Sequence, residues 1–584
     1  MNKYAFDPKP YRDDILAIVN EVAAVKRWTP KSLQKILPRH PRDGNAIFSR
    51  DQLVMGYRLL VSEKLADENP LVLERIRMKP TRTVSGVAPV TVLTKPFPCP
   101  GKCIFCPNDV RMPKSYLADE PGAQRAERNM FDPYLQVFNR LRAFMNTGHS
   151  TDKVELIVLG GTWSFYPEEY QIWFIKRCFD ALNDFGVRDR RDEVKSVNMF
   201  EEANRIPRKT ADGRTRSYNE IVHAVSRGAT RDLLTASELS SWSELEEAQV
   251  ANESASSRCV GLVIETRPDY IDEHEVIKIR RLGATKVQIG IQSLNDRVME
   301  LNRRGHGAKE TAAAIHLLRR AGFKIHAHWM PNLYGSTPDS DIDDYKKLWQ
   351  PEFSPDELKI YPTSVIANTV LHEKYKQGEY SPYTYEELLQ VLTGTMPLTP
   401  RYCRLTRVVR DIPSTDIVAG NKRTNFRQIA EEELNKMGSP CQCIRCREIR
   451  GRKISPEDLQ EERIEYKTSA GTEHFLSWKT RSDDRIVGFL RLLLPDDGDH
   501  FIPELAGNAV IREVHVYGQV VALGERQEGR TQHLGIGSRL IRTAEDIARS
   551  GGFSAISVIS AIGTRKYYYR LGFRLHSLYM HKPL

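Results

Sequence analysis

Cys99-Pro-Gly-Lys-Cys103-Ile-Phe-Cys106 sets three thiols on one short stretch with the spacing CxxxCxxC. Three thiolates on a single loop can ligate three irons of a 4Fe–4S cluster and leave the fourth iron open to a substrate. The same spacing also suits a structural zinc knuckle. A second set, Cys441-Gln-Cys443-Ile-Arg-Cys446, offers three more thiolates close together. Structural zinc takes four N or S ligands in a tetrahedron, so this set needs a fourth, from Cys403 or a nearby histidine; otherwise its thiols are free. The chain has 9 cysteines, an odd count concentrated in two clusters, which argues for metals rather than disulfides. Far downstream, Gln532-His-Leu-Gly535-Ile536-Gly537-Ser538 is a glycine-rich turn that opens a helical pattern. Such a turn presents backbone N–H groups and the positive end of a helix to phosphate. Tyr568, five residues before Phe573, reads on residue type alone as a core aromatic.

These residues must be held by elements. Short apolar runs at 90–93, 154–161, 259–265 and 286–292 are bounded by Gly or Thr and alternate with helical patterns over 167–183, 273–282 and 308–321. Strands alternating with helices predict parallel βα units, and so a partial or full (β/α) barrel over residues 84–400. Gly160, Gly161, Thr162, Glu265 and Gln292 fall at the C-terminal ends of predicted strands, where barrel sites are built. The polar, Ser- and Arg-rich stretch at about 205–257 reads as an insertion, and 401–460 as a basic linker holding the second cysteine set. From 461 to 584 a second α/β domain is predicted: strands at 463–468, 474–480, 485–494 and 510–517, a helix at 537–549, a strand at 555–560, then a short helix and final strand within 567–579. Residues 1–83 show helical periodicity, as at Ile15, Ile18, Val19 and Val22, broken by Pro30, Pro38 and Pro41.

The 584 residues carry 86 Lys+Arg against 76 Asp+Glu, a net charge of +10. Lys26, Arg27, Lys31, Lys35 and Arg39 crowd one short part of the helical N-terminal domain, forming either a phosphate-binding face or a solvated one. No apolar run reaches the ~18 residues of a membrane span, and no leader is visible, so a cytoplasmic protein without membrane contact is expected.

The cysteine motif, with Phe105 before its last thiol, resembles the radical SAM family. There S-adenosylmethionine chelates the open iron, and an electron from a reductant the sequence leaves unnamed cleaves it to a 5′-deoxyadenosyl radical. Gly160-Gly161-Thr162 resembles the segment of that family that meets the methionine amino group. Glu265 and Gly290-Ile-Gln292-Ser293 resemble the strand ends of its coproporphyrinogen oxidase branch. The C-terminal domain resembles the Gcn5-related N-acetyltransferase (GNAT) fold. That likeness implies the pyrophosphate of CoA at Gln532, Gly535, Ile536, Gly537 and Ser538, the pantetheine arm along Glu513, Val514, His515 and Val516, and the thiol at Tyr568 as general acid.

The pairing of the two, with Asp152-Lys153-Val-Glu-Leu-Ile-Val-Leu-Gly-Gly-Thr, Arg410-Asp-Ile-Pro and Gly563-Thr-Arg-Lys-Tyr-Tyr, resembles the Elongator catalytic subunit family of tRNA uridine(34) acetyltransferases. The short Cys99–Cys103 gap looks like its bacterial or archaeal branch, which works without the other Elongator subunits and for which a homodimer is the oligomer to consider. The likeness implies a tRNA carboxymethyluridine synthase. The radical takes a hydrogen from the acetyl methyl group, the carbon radical adds to C5 of the wobble uridine in the anticodon stem-loop, and thioester hydrolysis leaves 5-carboxymethyluridine. Lys153 matches a family lysine that contacts CoA from the barrel side. Two other functions are weighed: a protein lysine acetyltransferase in which the iron–sulfur domain is structural, and a tRNA-binding scaffold with a degenerate barrel.

Overall fold

The computed structural model describes residues 6–29, 31–78, 83, 85–194, 210, 216–225, 238–450, 454–496, 500–517 and 535–584. Near the N-terminus, Arg12–Ala24, Ser32–Ile36, Arg50–Ser62 and Pro70–Ile76 are helices. Ile15, Ile18 and Val22 meet Leu53, Tyr57 and Leu60 in a core separate from that of the rest of the chain. The first and third helices pass so closely that a Cβ at Gly56 would lie 2.2 Å from Ile15 Cδ1. Ser49 and Gln52 close a capping box on the third helix.

Strands β1 (Ala88–Leu93), β2 (Lys153–Leu159), β3 (Arg258–Thr266), β4 (Lys286–Gln292), β5 (Lys324–Trp329), β6 (Glu357–Ile360) and β8 (Arg404–Val408) form one parallel sheet, ordered as in the chain. Between the last two, β7 (Val365–Ile366) pairs instead with β9 (Ile417–Ala419). The parallel sheet ends at β1 and β8, making an open barrel of seven strands rather than a closed one. Its interior is not packed solid. Along β2, Val154, Leu156 and Val158 are buried beneath helices, whereas Glu155, Ile157 and Leu159 line a central cavity.

Two stretches differ from their sequence reading. The polar segment at 205–257 is not a simple insertion. Its helix Trp242–Asn252, begun by a Ser241–Glu244 capping box, packs on the helix Glu168–Asp184, and Asn183 donates to Ala248 O at 2.9 Å. Likewise, 401–460 is not only a linker. β8 is the last strand of the barrel sheet, and the helix Phe426–Lys436 packs against Tyr385–Thr395.

The C-terminal domain is a second seven-stranded sheet, ordered β10-β11-β12-β13-β14-β16-β15. Its strands are β10 (Leu459–Thr468), β11 (Gly471–Thr480), β12 (Ile486–Pro495), β13 (Ala509–Val516), β14 (Ala555–Val558), β15 (Arg574–His576) and β16 (Tyr579–Pro583). The helix Ile536–Ser550 lies on β12 and β13. The chain closes in a β15–β16 hairpin where one final strand was expected, because the tight turn at Ser577, with φ +50°, folds the second half back.

Barrel and C-terminal domain share one hydrophobic core, running from Val154 and Ile325 to Leu490 and Ile556. Glycine makes the joint close. A Cβ on Gly563 would stand 2.8 Å from Cys259 O, and one on Gly322, with φ +79°, would stand 2.9 Å from Val510 Cγ1.

Candidate functional site

Cys99, Cys103 and Cys106 lie on the loop after β1, at the C-terminal edge of the barrel sheet. Asn219, on the helix Tyr218–Val225, clamps that loop twice. Its Nδ2 donates to Cys99 O at 2.9 Å, and its Oδ1 accepts the Cys99 N–H at 3.0 Å. Sequence reasoning missed this residue, because the surrounding stretch is polar and carries no strand pattern. Arg304 Nη1 donates to Cys103 Sγ at 3.4 Å and its Nη2 to Gly290 O at 2.8 Å. Arg267, bidentate on Asp269, lies so close that a Cβ at Gly101 would sit 2.4 Å from its Nη1. The guanidinium groups of Arg267 and Arg304 thus face the cysteine loop.

The other expected residues gather round the same space. Gly161, Thr162, Glu265 and Gln292 line the cavity together with all three cysteines. Thr162 Oγ1 is 3.8 Å from Cys99 Sγ. Gly160 cannot carry a side chain, since its Cβ would fall 1.9 Å from Thr94 Oγ1. Glu265 accepts from Tyr116 OH at 3.3 Å, and burial raises its carboxyl above the usual range. Gln292 is held at φ +65°, a strained backbone for a residue with a side chain, and its Oε1 is buried without a hydrogen-bond partner. An orphaned acceptor beside three cysteines fits a polar ligand bound against a cluster. Sulfurs that hold separate irons must also stand apart. Among the described residues the cysteines whose sulfurs gather within 4.8 Å are Cys441, Cys443 and Cys446, not the first triad.

The cavity, about 850 Å³, runs the length of the barrel. Beyond Gln288, His328 and Lys359 it reaches the opposite strand ends, at Glu155, Lys286, His326, Glu357 and Arg404. There charges interlock. Lys286 meets Glu155 at 2.7 Å and Glu357 at 3.3 Å. Lys324 joins Glu357 to Glu513 of β13, and Arg404 donates to Tyr517 OH at 2.8 Å. The floor of the barrel is therefore the strand expected to carry CoA.

On that strand, pairing with β14 spans only Ala509–Ile511, and β14 ends at Val558. Glu513, Val514, His515 and Val516 run on past the end of their neighbour, and a register shift opposite Arg491 and Leu492 bends the strand. A strand that outlasts its partner leaves backbone groups for an extended amide-bearing ligand. Gly535, at φ +64°, starts the helix through Ile536, Gly537 and Ser538, and the Tyr567 hydroxyl fills the space a Gly537 side chain would need. Gln532 lies outside the described residues. Tyr568 is buried against Phe573, and that burial raises its phenol well above its usual range, keeping it protonated. Lys153 opens β2 at the strand end far from Gly160. Its register partner is Arg258, whose Cβ would touch a side chain at Gly563. It therefore lies at the domain joint, and it makes no ion pair among the described residues.

Cys441, Cys443 and Cys446 converge, with Cys443 Sγ and Cys446 Sγ 3.6 Å apart. Hydrogen bonds from Cys441 and Cys446 hold the Cys443 thiol well below its usual range. Neither Cys403 nor a histidine joins them within 4.8 Å among the described residues; Glu431 Oε1 is 3.7 Å from Cys446 Sγ. In the N-terminal domain, Lys26, Arg27, Lys31, Lys35 and Arg39 are exposed. Arg39 is partly neutralised by Glu21 at 3.0 Å. No helix among the described residues is long and apolar enough to cross a membrane.

Three stretches of the chain match known families. Residues 207–348 match the radical SAM superfamily, 355–436 the radical SAM C-terminal domain and 445–573 the acetyltransferase (GNAT) family. The chain is 38% identical over 534 residues to a tRNA uridine(34) acetyltransferase of Methanocaldococcus infernus, covering 89% of each chain. It is 38% identical to that of Dehalococcoides mccartyi, covering 87% of this chain and 99% of the relative. To the Elongator complex protein 3 of Homo sapiens it is 34% identical, covering 88% and 87%. Among solved structures, the archaeal Methanocaldococcus infernus Elp3 with an N-terminal deletion matches with a TM-score of 0.65 at 34% identity, covering 85% of this chain and 99% of that one.

Proposed function

The chain belongs to the family of tRNA uridine(34) acetyltransferases and Elongator complex protein 3 chains, and from that premise we propose that it forms 5-carboxymethyluridine at the wobble position of tRNA with acetyl-CoA as carbon donor. The observation that carries this reading is the continuous cavity leading from Cys99, Cys103 and Cys106 to Glu357 at the barrel floor, where Lys324 ties Glu357 to Glu513 of β13. When bound, a 4Fe–4S cluster and S-adenosylmethionine supply a carbon-centred radical. The residues of the chain do the rest. The three cysteines hold the cluster, with Arg304 and Arg267 offsetting its charge. Gly160, Gly161, Thr162, Glu265 and Gln292 orient S-adenosylmethionine. Lys153, the free run of β13 and the turn at Gly535–Ser538 hold acetyl-CoA, and the neutral phenol of Tyr568 stands ready to donate a proton to the departing thiolate. The barrel walls keep bulk water from the reacting carbon. A wobble base leaves its stack cheaply in an anticodon loop, which suits a site at the end of a cavity.

In the same reading Cys441, Cys443 and Cys446 bind zinc and pin the joint, where Arg485 Nη1 donates to Cys446 O at 2.6 Å and the Ile444 N–H to Cys403 O at 2.9 Å. The exposed lysines of the N-terminal domain meet tRNA phosphates. Anaerobic incubation of reconstituted protein with tRNA, acetyl-CoA and S-adenosylmethionine tests the function. 5-Carboxymethyluridine is expected in the nucleoside digest, and Cys103→Ser should lose it while still binding tRNA. Acetyl-CoA turnover driven by a peptide amine and indifferent to tRNA would replace this reading with protein lysine acetylation. Neutralising Lys31, Lys35 and Arg39 should flatten the slope of log affinity against log salt by about 2; an unchanged slope would move the RNA to another face.

A further inference from the structure

His576 and His581 stand on the closing hairpin. Arg574 is registered with His581 and His576 with Tyr579, so the two histidines are diagonal neighbours on one face. Glu504 reaches them from the turn Pro503–Leu505 that precedes β13. Its Oε1 accepts the Leu578 N–H at 3.0 Å, and its Oε2 lies 3.6 Å from His576 Nδ1. One ligand atom from each of the three residues falls within 4.8 Å of the others. Two ligands of a tetrahedral zinc ion, each ~2.0–2.1 Å from it, stand about 3.3 Å apart, so little adjustment is needed. The third ligand is already oriented. His581 Nδ1 is 2.8 Å from Ser557 Oγ, which also accepts from Asn508 Nδ2 at 3.0 Å. In the tautomer whose Nδ1–H donates to Ser557 Oγ, the imidazole keeps a lone pair on Nε2, and that atom is buried without a hydrogen-bond partner.

We propose that Glu504, His576 and His581 form a site for a divalent transition-metal ion of the zinc class, separate from both cysteine sets. Three protein ligands and a water complete a tetrahedron. The ion would tie the turn before β13 to the last hairpin. Arg280 already anchors that hairpin to the barrel through Leu578 O at 2.7 Å, and Tyr579 OH donates to Ala321 O at 2.8 Å. A metal here therefore braces the far edge of the acetyltransferase sheet against the barrel.

Full-length protein stripped by chelator and reloaded with zinc tests the proposal, with metal per chain counted after desalting and affinity read by competition with a chromophoric chelator. The wild-type chain should retain one more zinc ion than Glu504→Gln or His576→Asn, and each variant should bind that ion more than about tenfold more weakly. Both substitutions keep a polar group of similar size, and thermal melting reports whether the variants fold. Cobalt separates the sites: the cobalt held by the wild-type chain and lost in His576→Asn should contribute d–d absorption but no thiolate-to-cobalt charge-transfer band. Equal zinc content and affinity in wild type and both folded variants, or loss of a thiolate-to-cobalt band in His576→Asn, overturns the site and leaves a plain histidine–glutamate ion pair.

Discussion

His326, His328 and His515 are neutral in the folded chain, because burial removes the water that would solvate an imidazolium. His515 titrates at about 4 in the fold against 6.5 when unperturbed. Between those values the unfolded chain binds the proton and the folded chain does not. Stability is therefore lost as pH falls from 6.5 toward 4, by about 1.4 kcal/mol per pH unit for each such histidine. Melting temperatures at about pH 7.5 and pH 5 should differ accordingly, and His515→Gln should recover roughly one histidine's share. A melting temperature that does not move would mean these rings are solvated. At this same scale the sequence was most legible. Clustered cysteines and a glycine-rich turn stand out because residue type and local spacing alone suggest their chemistry. Arg304, Arg267 and Glu504 were not legible, because each meets its partners from a distant part of the chain.

The helix Tyr218–Val225 shows how an element can matter without a motif. Asn219 holds both backbone groups of Cys99, and Tyr218 OH donates to Met112 O at 2.9 Å, fastening the helix to the far side of the cysteine loop. Asn219→Leu should loosen that loop and lower retention of iron by about tenfold or more, as losing an orienting partner does at other metal sites. Acetyl-CoA hydrolysis by the C-terminal domain should be unaffected. Iron content equal to wild type after gel filtration would reduce the helix to a cover. The strands of the barrel were readable from apolar runs bounded by glycine, since buried parallel strands are nearly continuous in hydrophobicity. The helices at 218–225 and 242–252 were not, because each is short and set in a polar, Ser- and Arg-rich stretch that hides its pattern until its packing partners are seen in place. β8 hid in a basic segment for a related reason: Arg404 and Arg407, which interrupt its apolar pattern, both reach the cavity.

Across the whole molecule, Asp356 binds the two catalytic halves into one. Lying just before β6, it meets Arg512 of β13 and Arg491 of β12, and Arg512 also meets Glu473 of β11, all fully buried. Burial alone would raise the Asp356 carboxyl, yet Arg512, Arg491 and Arg319 hold it below its usual range. Asp356→Ala leaves buried guanidinium groups without their counter-ion and should cost about 3–5 kcal/mol. Because barrel and acetyltransferase share a core, the loss should appear in a single urea transition that carries both domains down together. Two separated transitions in the wild-type chain would show that the halves fold independently. The helical N-terminal unit, with its own core, need not follow them.

The sequence by itself determined which local chemistries to expect: three thiols spaced for a cluster, a glycine-rich turn of the kind that meets phosphate, a strand proposed for an extended ligand, and a likeness to tRNA uridine(34) acetyltransferases that the relatives bear out. Those are local facts, set by residue type and separation along the backbone. Only the tertiary structure decided how they meet. It placed the acetyltransferase strand across the N-terminal ends of the barrel strands, left the barrel interior polar and open, and ran one cavity between the two ends. No spacing rule contains that result. It depends on long-range pairs such as Lys324 with Glu513 and Asp356 with Arg512, whose partners lie far apart in the chain and become neighbours only when the shared core closes.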